Sequence, residues 1–336
     1  MIDPTSLFRA RDGLYAADML VAAVADLDVF SWLAARDANF SELCQGLGLA
    51  ERPADVMCTL LCSMGLLDRD GDRLRPTKLA LEHLVEGARG NLRPYVASLA
   101  ERPPCRELVQ VLRTGEPAAW ASGGTEEWQT RMRDPGFAKR CTAAMDARGS
   151  VLAPLLAEVL DLRGRRRLLD VAGGSGIYAC TLVDRYPGLR ATVLERPPVD
   201  EAARTLIATR GLSGRVEVMG GDMFADPFPA GWDVHLYSHV LHDWDEASVS
   251  ELLRASFHAL EPGGLLVDFD VHIDRDKRGP LAAAEYSVLL IHSTRGKCWS
   301  LGELEGPLAA AGFVDAASAP VGVYRSIITA RKAGCS

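Results

Sequence analysis

Residues 166–176, RRLLDVAGGSG, decide the architecture. Leu168–Val171 is an apolar run carrying one carboxylate, Asp170, and it stops in a glycine-rich turn. The stretch after the turn, YACTLVDRY (178–186), changes to helical period. The rest of the C-terminal half repeats this unit. RATVLE, VEVMGGD, DVHLYS, LLVDFDV and SIITAR read as strands, and VDEAARTLIATRG, EASVSELLRASFHAL and GELEGPLAAAG between them read as helices. That alternation predicts an α/β fold with a mostly parallel, doubly wound sheet, which binds ligands beyond the carboxyl ends of its strands.

Upstream, the grammar is helical. Leu14–Leu33 is apolar on almost every face and reads as one helix that must be covered all round, more often by a partner subunit. FSELCQGLGL and RPADVMCTLLCSMGLL follow as two helices, and Asp70-Gly71-Asp72 reads as the turn of a short hairpin. Two helices and a hairpin make a winged-helix pattern, but its second helix, MCTLLCSMGLL, has no charge with which to read DNA. The expected domains are 1–100 as a winged-helix-like unit, 101–160 as bridging helices and 161–336 as the nucleotide-binding domain.

The net charge of −8 argues against a nucleic-acid partner. No apolar run approaches the roughly 18 residues of a membrane span, and the N-terminus lacks the order of a secretory signal. The eight cysteines are scattered; only Cys58 and Cys62 are close, and CxxxC on a helix reads as two small core residues. A reduced, cytoplasmic protein is expected.

At the turn, Gly173, Gly174 and Gly176 let a ligand approach the backbone. The helix is expected to start near Ser175 and to aim its amide dipoles at the ligand. Gly174–Ala179 also fits the dinucleotide pattern G-x-G-x-x-A, with Glu195 near the position of a ribose acid. Against a dinucleotide, Asp170 would repel a diphosphate and attract an ammonium. Asp222, Met223 and Phe224, ending the third strand, suit an adenine amino group and its faces, although Asp222 could simply cap the next segment. Together these residues point to S-adenosylmethionine.

The stretch SHVLHDWD (238–245) follows the fourth strand and supplies His239, His242 and Asp243. With Asp170–Gly176, Gly221–Phe224 and His242-Asp243-Trp244 in this order, the chain resembles the S-adenosylmethionine-dependent small-molecule O-methyltransferases, the group of the plant caffeate and hydroxyindole enzymes and many bacterial antibiotic-pathway members. The resemblance implies a Rossmann-like class I methyltransferase domain, an N-terminal winged-helix-like homodimerisation domain and cofactor contacts that extend to Arg196 and Ser238. It implies that Trp128, Arg140 and Met145 on the bridging helices, with Tyr286, Leu289 and Trp299, line the acceptor pocket, where Arg131, Arg133 or Arg140 could meet an acceptor carboxylate.

It also implies that His242 is the base for the acceptor hydroxyl, supported by two glutamates. Here one is shortened to Asp270 and the other, in the stretch Gly296–Ser300, is replaced by Cys298. A smaller set of similar bacterial enzymes, 2-oxo acid C-methyltransferases, implies another use: His242, Asp243 and His292 as ligands of Fe(II) or zinc. The sequence leans narrowly to metal-assisted methylation of the β-carbon of a 2-oxo acid, with His242-based O-methylation of a phenol or enol as runner-up. A cofactor-binding regulator is the third alternative. Asp243 also reads as an N-terminal device of the next helix, His235 as structural, and His239 as core packing.

Overall fold

The computed structural model describes residues 2–118 and 128–334; the side chains of Trp128 and Gln129 lie outside the described residues. The chain forms two compact units that interleave in sequence: Met1–Ser122 with His272–Ser300, and Gly123–Val271 with Leu301–Ser336. This differs from a boundary near 160. Residues 272–300 belong to the N-terminal unit because the helix Leu281–Ser293 packs on Glu51–Ser63, while Pro135–Val159 packs on the helices of the second unit.

In the first unit, Leu14–Leu33 is not one helix. It breaks between Ala16–Ala25 and Val29–Ala34, where Asp28 adopts a left-handed φ of 49°. Met19, Ala22, Ala23, Val29 and Phe30 are buried by the chain's own helices, so no partner is required to cover them. The strands β1 (Ala38–Asn39), β2 (Leu67–Asp70) and β3 (Arg73–Pro76) form a small sheet in the order β1-β3-β2. The expected hairpin is its β2–β3 pair, with Asp70 opposite Arg73. Asn39 caps the helix Phe40–Leu47 through a capping box with Glu42. On Glu51–Ser63, every residue from Pro53 to Cys62 is buried, which leaves no long face for a DNA groove. Cys58 and Cys62 lie in that buried run, as expected.

The second unit holds β4 (Arg167–Val171), β5 (Arg190–Glu195), β6 (Val216–Gly220), β7 (Trp232–Ser238), β8 (Leu260–Asp270), β9 (Phe313–Gly322) and β10 (Arg325–Lys332). Their order is β6-β5-β4-β7-β8-β10-β9. All pairs from β6 to β8 are parallel, and β10 runs antiparallel to both neighbours. From β4 the chain builds outward to β5 and β6, then returns to place β7 on the other side. The switch point between β4 and β7 opens a crevice at their carboxyl ends, and the glycine turn and SHVLHDWD both emerge there. Among the described residues, no helix is long and apolar enough to cross a membrane.

Candidate active site

Asp170 sits in the middle of the sheet with no exposed surface, and neither carboxylate oxygen makes a well-formed hydrogen bond. Burial pushes its carboxyl up to about 7, the amide of Ala179 pulling the other way and the charge of Glu195 adding to the rise. A buried carboxyl whose oxygens lack a well-formed partner calls for an explanation. Gly173 is dictated by it: a β-carbon there would lie 2.5 Å from Asp170 Cγ. Gly176 caps the following helix at a left-handed φ of 71°, so that helix starts at Ile177, two residues later than expected.

Glu195, ending β5, is buried and tied to the turn. Its Oε2 accepts from the Gly174 amide at 3.0 Å and its Oε1 from the Arg196 amide at 2.9 Å. Burial raises its carboxyl, and these two amides oppose the rise. Asp222 accepts from the Phe224 amide at 2.9 Å, so it does organise its own turn, as the bland reading expects. Phe224 meets Trp244 edge-on at 4.5 Å, which links the third strand's turn to the SHVLHDWD segment. Ser238 ends β7 with a buried hydroxyl that lacks a protein partner.

The histidine segment forms a 3-10 turn, Leu241–Asp243, and the cap of the next helix is Asp245, which accepts from the Ser248 amide at 2.9 Å. Asp243 is therefore not the capping residue. His242 is buried, and its Nδ1 lies 2.6 Å from Oδ1 of Asp270, the last residue of β8. Its Nε2 lies 3.6 Å from Asp243 Oδ1. Burial alone would lower the His242 imidazole; the charges of Asp270 and then Asp243 outweigh it and raise it. Burial likewise opposes ionisation of Asp270, but His242 first, then His239, hold it well below the usual carboxylate range. Asp243 is raised, chiefly by burial.

His292 belongs to the first unit and is otherwise engaged. Its Nε2 lies 2.8 Å from Glu107 Oε2, and its ring stacks on Tyr15 at 4.1 Å. Among the described residues, the group close enough to share an ion is His239, His242 and Asp270, with ligand atoms within 4.8 Å of one another. The expected set of His242, Asp243 and His292 is not that group. Cys298 is buried, its amide donating to Ser287 Oγ at 3.1 Å.

Of the acceptor-wall candidates, Met145 is half-buried and Arg140 exposed on Pro135–Val159, while Tyr286 is buried and Leu289 half-buried on Leu281–Ser293. Trp128 opens the short helix Trp128–Arg131, and its side chain is outside the described residues. Arg131 lies over the Phe137 ring at 4.5 Å, and Arg133 is exposed. Sequence reasoning passed over Arg148, which bears electrostatically on His239, His242 and Asp243. The half-polar face of its helix gave no signal to single it out. His235 is structural as expected, its Nδ1 2.9 Å from Ser256 Oγ on the helix Glu246–Ala259.

The switch-point crevice with its glycine turn and the class I sheet define an S-adenosylmethionine-dependent methyltransferase. Residues 106–314 match the O-methyltransferase domain family, and the chain belongs to it. It is 33% identical over 312 residues to the 3-hydroxy-5-methyl-1-naphthoate 3-O-methyltransferase of Streptomyces sahachiroi, covering 92% of this chain and 89% of that protein. An O-methyltransferase family 2 protein from Planctomyces limnophilus, solved with apigenin, is 34% identical with a TM-score of 0.88, over 98% of this chain and 96% of that one. The O-methyltransferase NcsB1 of neocarzinostatin biosynthesis, solved with S-adenosylmethionine and 2-hydroxy-5-methyl naphthoic acid, is 27% identical with a TM-score of 0.61, over 94% and 95% of the two chains. The protein is a methyltransferase that uses S-adenosylmethionine and a small-molecule acceptor.

Proposed function

We propose that the protein O-methylates a hydroxyl on an aromatic small molecule of secondary metabolism, with His242 as general base. The observation that carries this reading is the buried 2.6 Å contact between His242 Nδ1 and Asp270. A carboxylate on Nδ1 fixes the tautomer, leaves Nε2 to take the hydroxyl proton and stabilises the imidazolium that results. Asp270 thus supplies the support expected of the longer glutamate, while Cys298 stands where the second glutamate is expected. The acidic and aromatic acceptors of the relatives favour a phenolic substrate.

The cofactor, when bound, supplies an electrophilic methyl group on a sulfonium. Asp170 would hold its ammonium beside Gly173, Gly174, Gly176 and Ser238; Glu195 and Arg196 would hold the ribose; Asp222, Met223 and Phe224 would hold adenine. Met145 and Arg140, with Trp128, are the proposed acceptor contacts of the second unit. A homodimer belongs to this reading, supported by exposed Leu79, Leu92 and Tyr95 in the first unit rather than by Leu14–Leu33.

Metal-assisted C-methylation of a 2-oxo acid is the second reading, favoured by Cys298 and by the His239, His242 and Asp270 group. It requires the His242–Asp270 hydrogen bond to open first. Purified enzyme assayed with phenolic acids and with 2-oxo acids, with and without chelator, separates the two. The expected product is a methyl ether whose formation ignores the chelator and falls about 10²–10⁴-fold in His242→Gln. Chelator-sensitive methylation of carbon in a 2-oxo acid would replace this reading with the second.

A further inference from the structure

The oxygen that anchors His242 has a second imidazole beside it. His239 Nδ1 stands 3.2 Å from the same Asp270 Oδ1, and the His239 side chain has no exposed surface. Oδ1 already accepts from His242 Nδ1 and from the Val271 amide at 2.7 Å. We propose that His239 is a positioning residue that donates its Nδ1 proton to Asp270 Oδ1 and so completes a three-donor clamp that aims the short carboxylate at His242. The inference deepens the base reading above and rests on it.

Three observations lead there. First, His239 has a left-handed φ of 58°, while its amide continues the β7–β8 ladder by donating to Phe269 O at 2.9 Å. A non-glycine residue held in that region is uncommon, and such strain gathers at functional sites. Its effect is to bring the ring over the end of β8, next to Asp270. Second, the ring is fixed by aromatic neighbours: edge-on to Phe269 at 5.3 Å, tilted against Tyr178 at 6.3 Å and against His242 at 5.7 Å. Third, neither ring nitrogen makes a well-aligned hydrogen bond among the described residues. A buried imidazole is not left this way for packing alone, because a phenyl ring would fill the place without the cost.

His239 meets Asp270 as a dipole rather than as a second cation. Burial first, and the charge of Arg148 second, keep its ring neutral, with Arg325 acting in the same sense and Asp270 in the opposite one. A neutral donor steadies the carboxylate without taking over the ion pair that His242 needs. The need arises from length. Asp270 is one methylene shorter than the glutamate implied by the family resemblance, so its carboxylate must be directed from the strand end itself.

The test compares His239→Phe, which keeps the ring and loses the donor, with His239→Asn, whose amide nitrogen lies near the Nδ1 position and which tolerates the left-handed backbone. Steady-state kinetics with a free phenol that the wild-type enzyme methylates, S-adenosylhomocysteine calorimetry and the downfield proton signal of the 2.6 Å hydrogen bond are read for each. Expected for His239→Phe is a fall in kcat of about 10-fold, a small part of what a general base contributes. Acceptor KM and nucleotide affinity stay within about two-fold, the downfield signal broadens, and His239→Asn recovers most of kcat. Wild-type kcat in His239→Phe, or no recovery in His239→Asn, overturns the positioning role. A parallel loss of nucleotide affinity in His239→Phe would make His239 a packing residue and also overturn it. Full activity in His242→Gln is a different failure: it removes the base reading itself.

Discussion

Cofactor affinity should tighten as pH rises through about 7, because Asp170, the carboxyl proposed to receive the ammonium, is neutral below that point. Burial pushes Asp170 up to about 7. Pairing with an ammonium requires the ionised form, so binding below pH 7 must expel a proton. For one linked group, the apparent dissociation constant scales as one plus ten raised to the difference between 7 and the pH. Affinity at pH 6 should then be about ten-fold weaker than at pH 8, or about 1.4 kcal/mol. Stability has the opposite sign. Raised in the fold, this carboxyl contributes stability at acidic pH that is lost as pH climbs toward 7, because the folded chain binds the extra proton. The assay is calorimetry with S-adenosylhomocysteine, which retains the ammonium, at pH 6, 7 and 8 in two buffers of different ionisation heat. Asp170→Asn should bind weakly at every pH and show no proton release. A dissociation constant flat from pH 6 to 8, or a pH slope surviving in Asp170→Asn, would refute the placement of the ammonium at Asp170.

Two further outcomes follow from contacts at the same crevice. Gly173→Ala would put a methyl group 2.5 Å from Asp170 Cγ and 2.6 Å from Oδ2. Overpacking of about 1–3 kcal/mol should weaken nucleotide affinity by about 5–150-fold, and unchanged binding by calorimetry would detach the turn from the cofactor. Asp270→Asn keeps an acceptor for His242 Nδ1 but removes its charge, which is worth about 1.5–3 kcal/mol, so kcat/KM should drop about 10–150-fold. Asp270 raises the His242 imidazole, so the acid limb of the pH–rate profile should move to lower pH in this variant. A limb that stays put or moves up would remove Asp270 as the base's partner.

The features legible in the sequence are those fixed over a few residues. A strand ending in glycines at Asp170 and the strand–helix alternation are local, and the folded chain keeps them. The readings that changed depend on partners far along the chain. His292 looked like a metal ligand because its neighbour Glu107 is 185 residues away. Asp243 looked like a helix cap because Asp245, two residues on, offered the same side chain. Leu14–Leu33 looked like one partner-covered helix because the break at Asp28 needs no glycine or proline to announce it.

His239 is the instructive case. Ser238 pairs with Phe269 across β7 and β8, so one further step along each strand sets His239 beside Asp270. The spacing of residues within SHVLHDWD contains both imidazoles but not that register, which comes from packing apolar faces of two strands separated by a helix. Once the register is fixed, the pairing of one carboxylate with two imidazoles follows from side-chain length alone. A residue that local periodicity assigns to the core thus comes to stand 3.2 Å from the carboxylate on which the proposed chemistry turns.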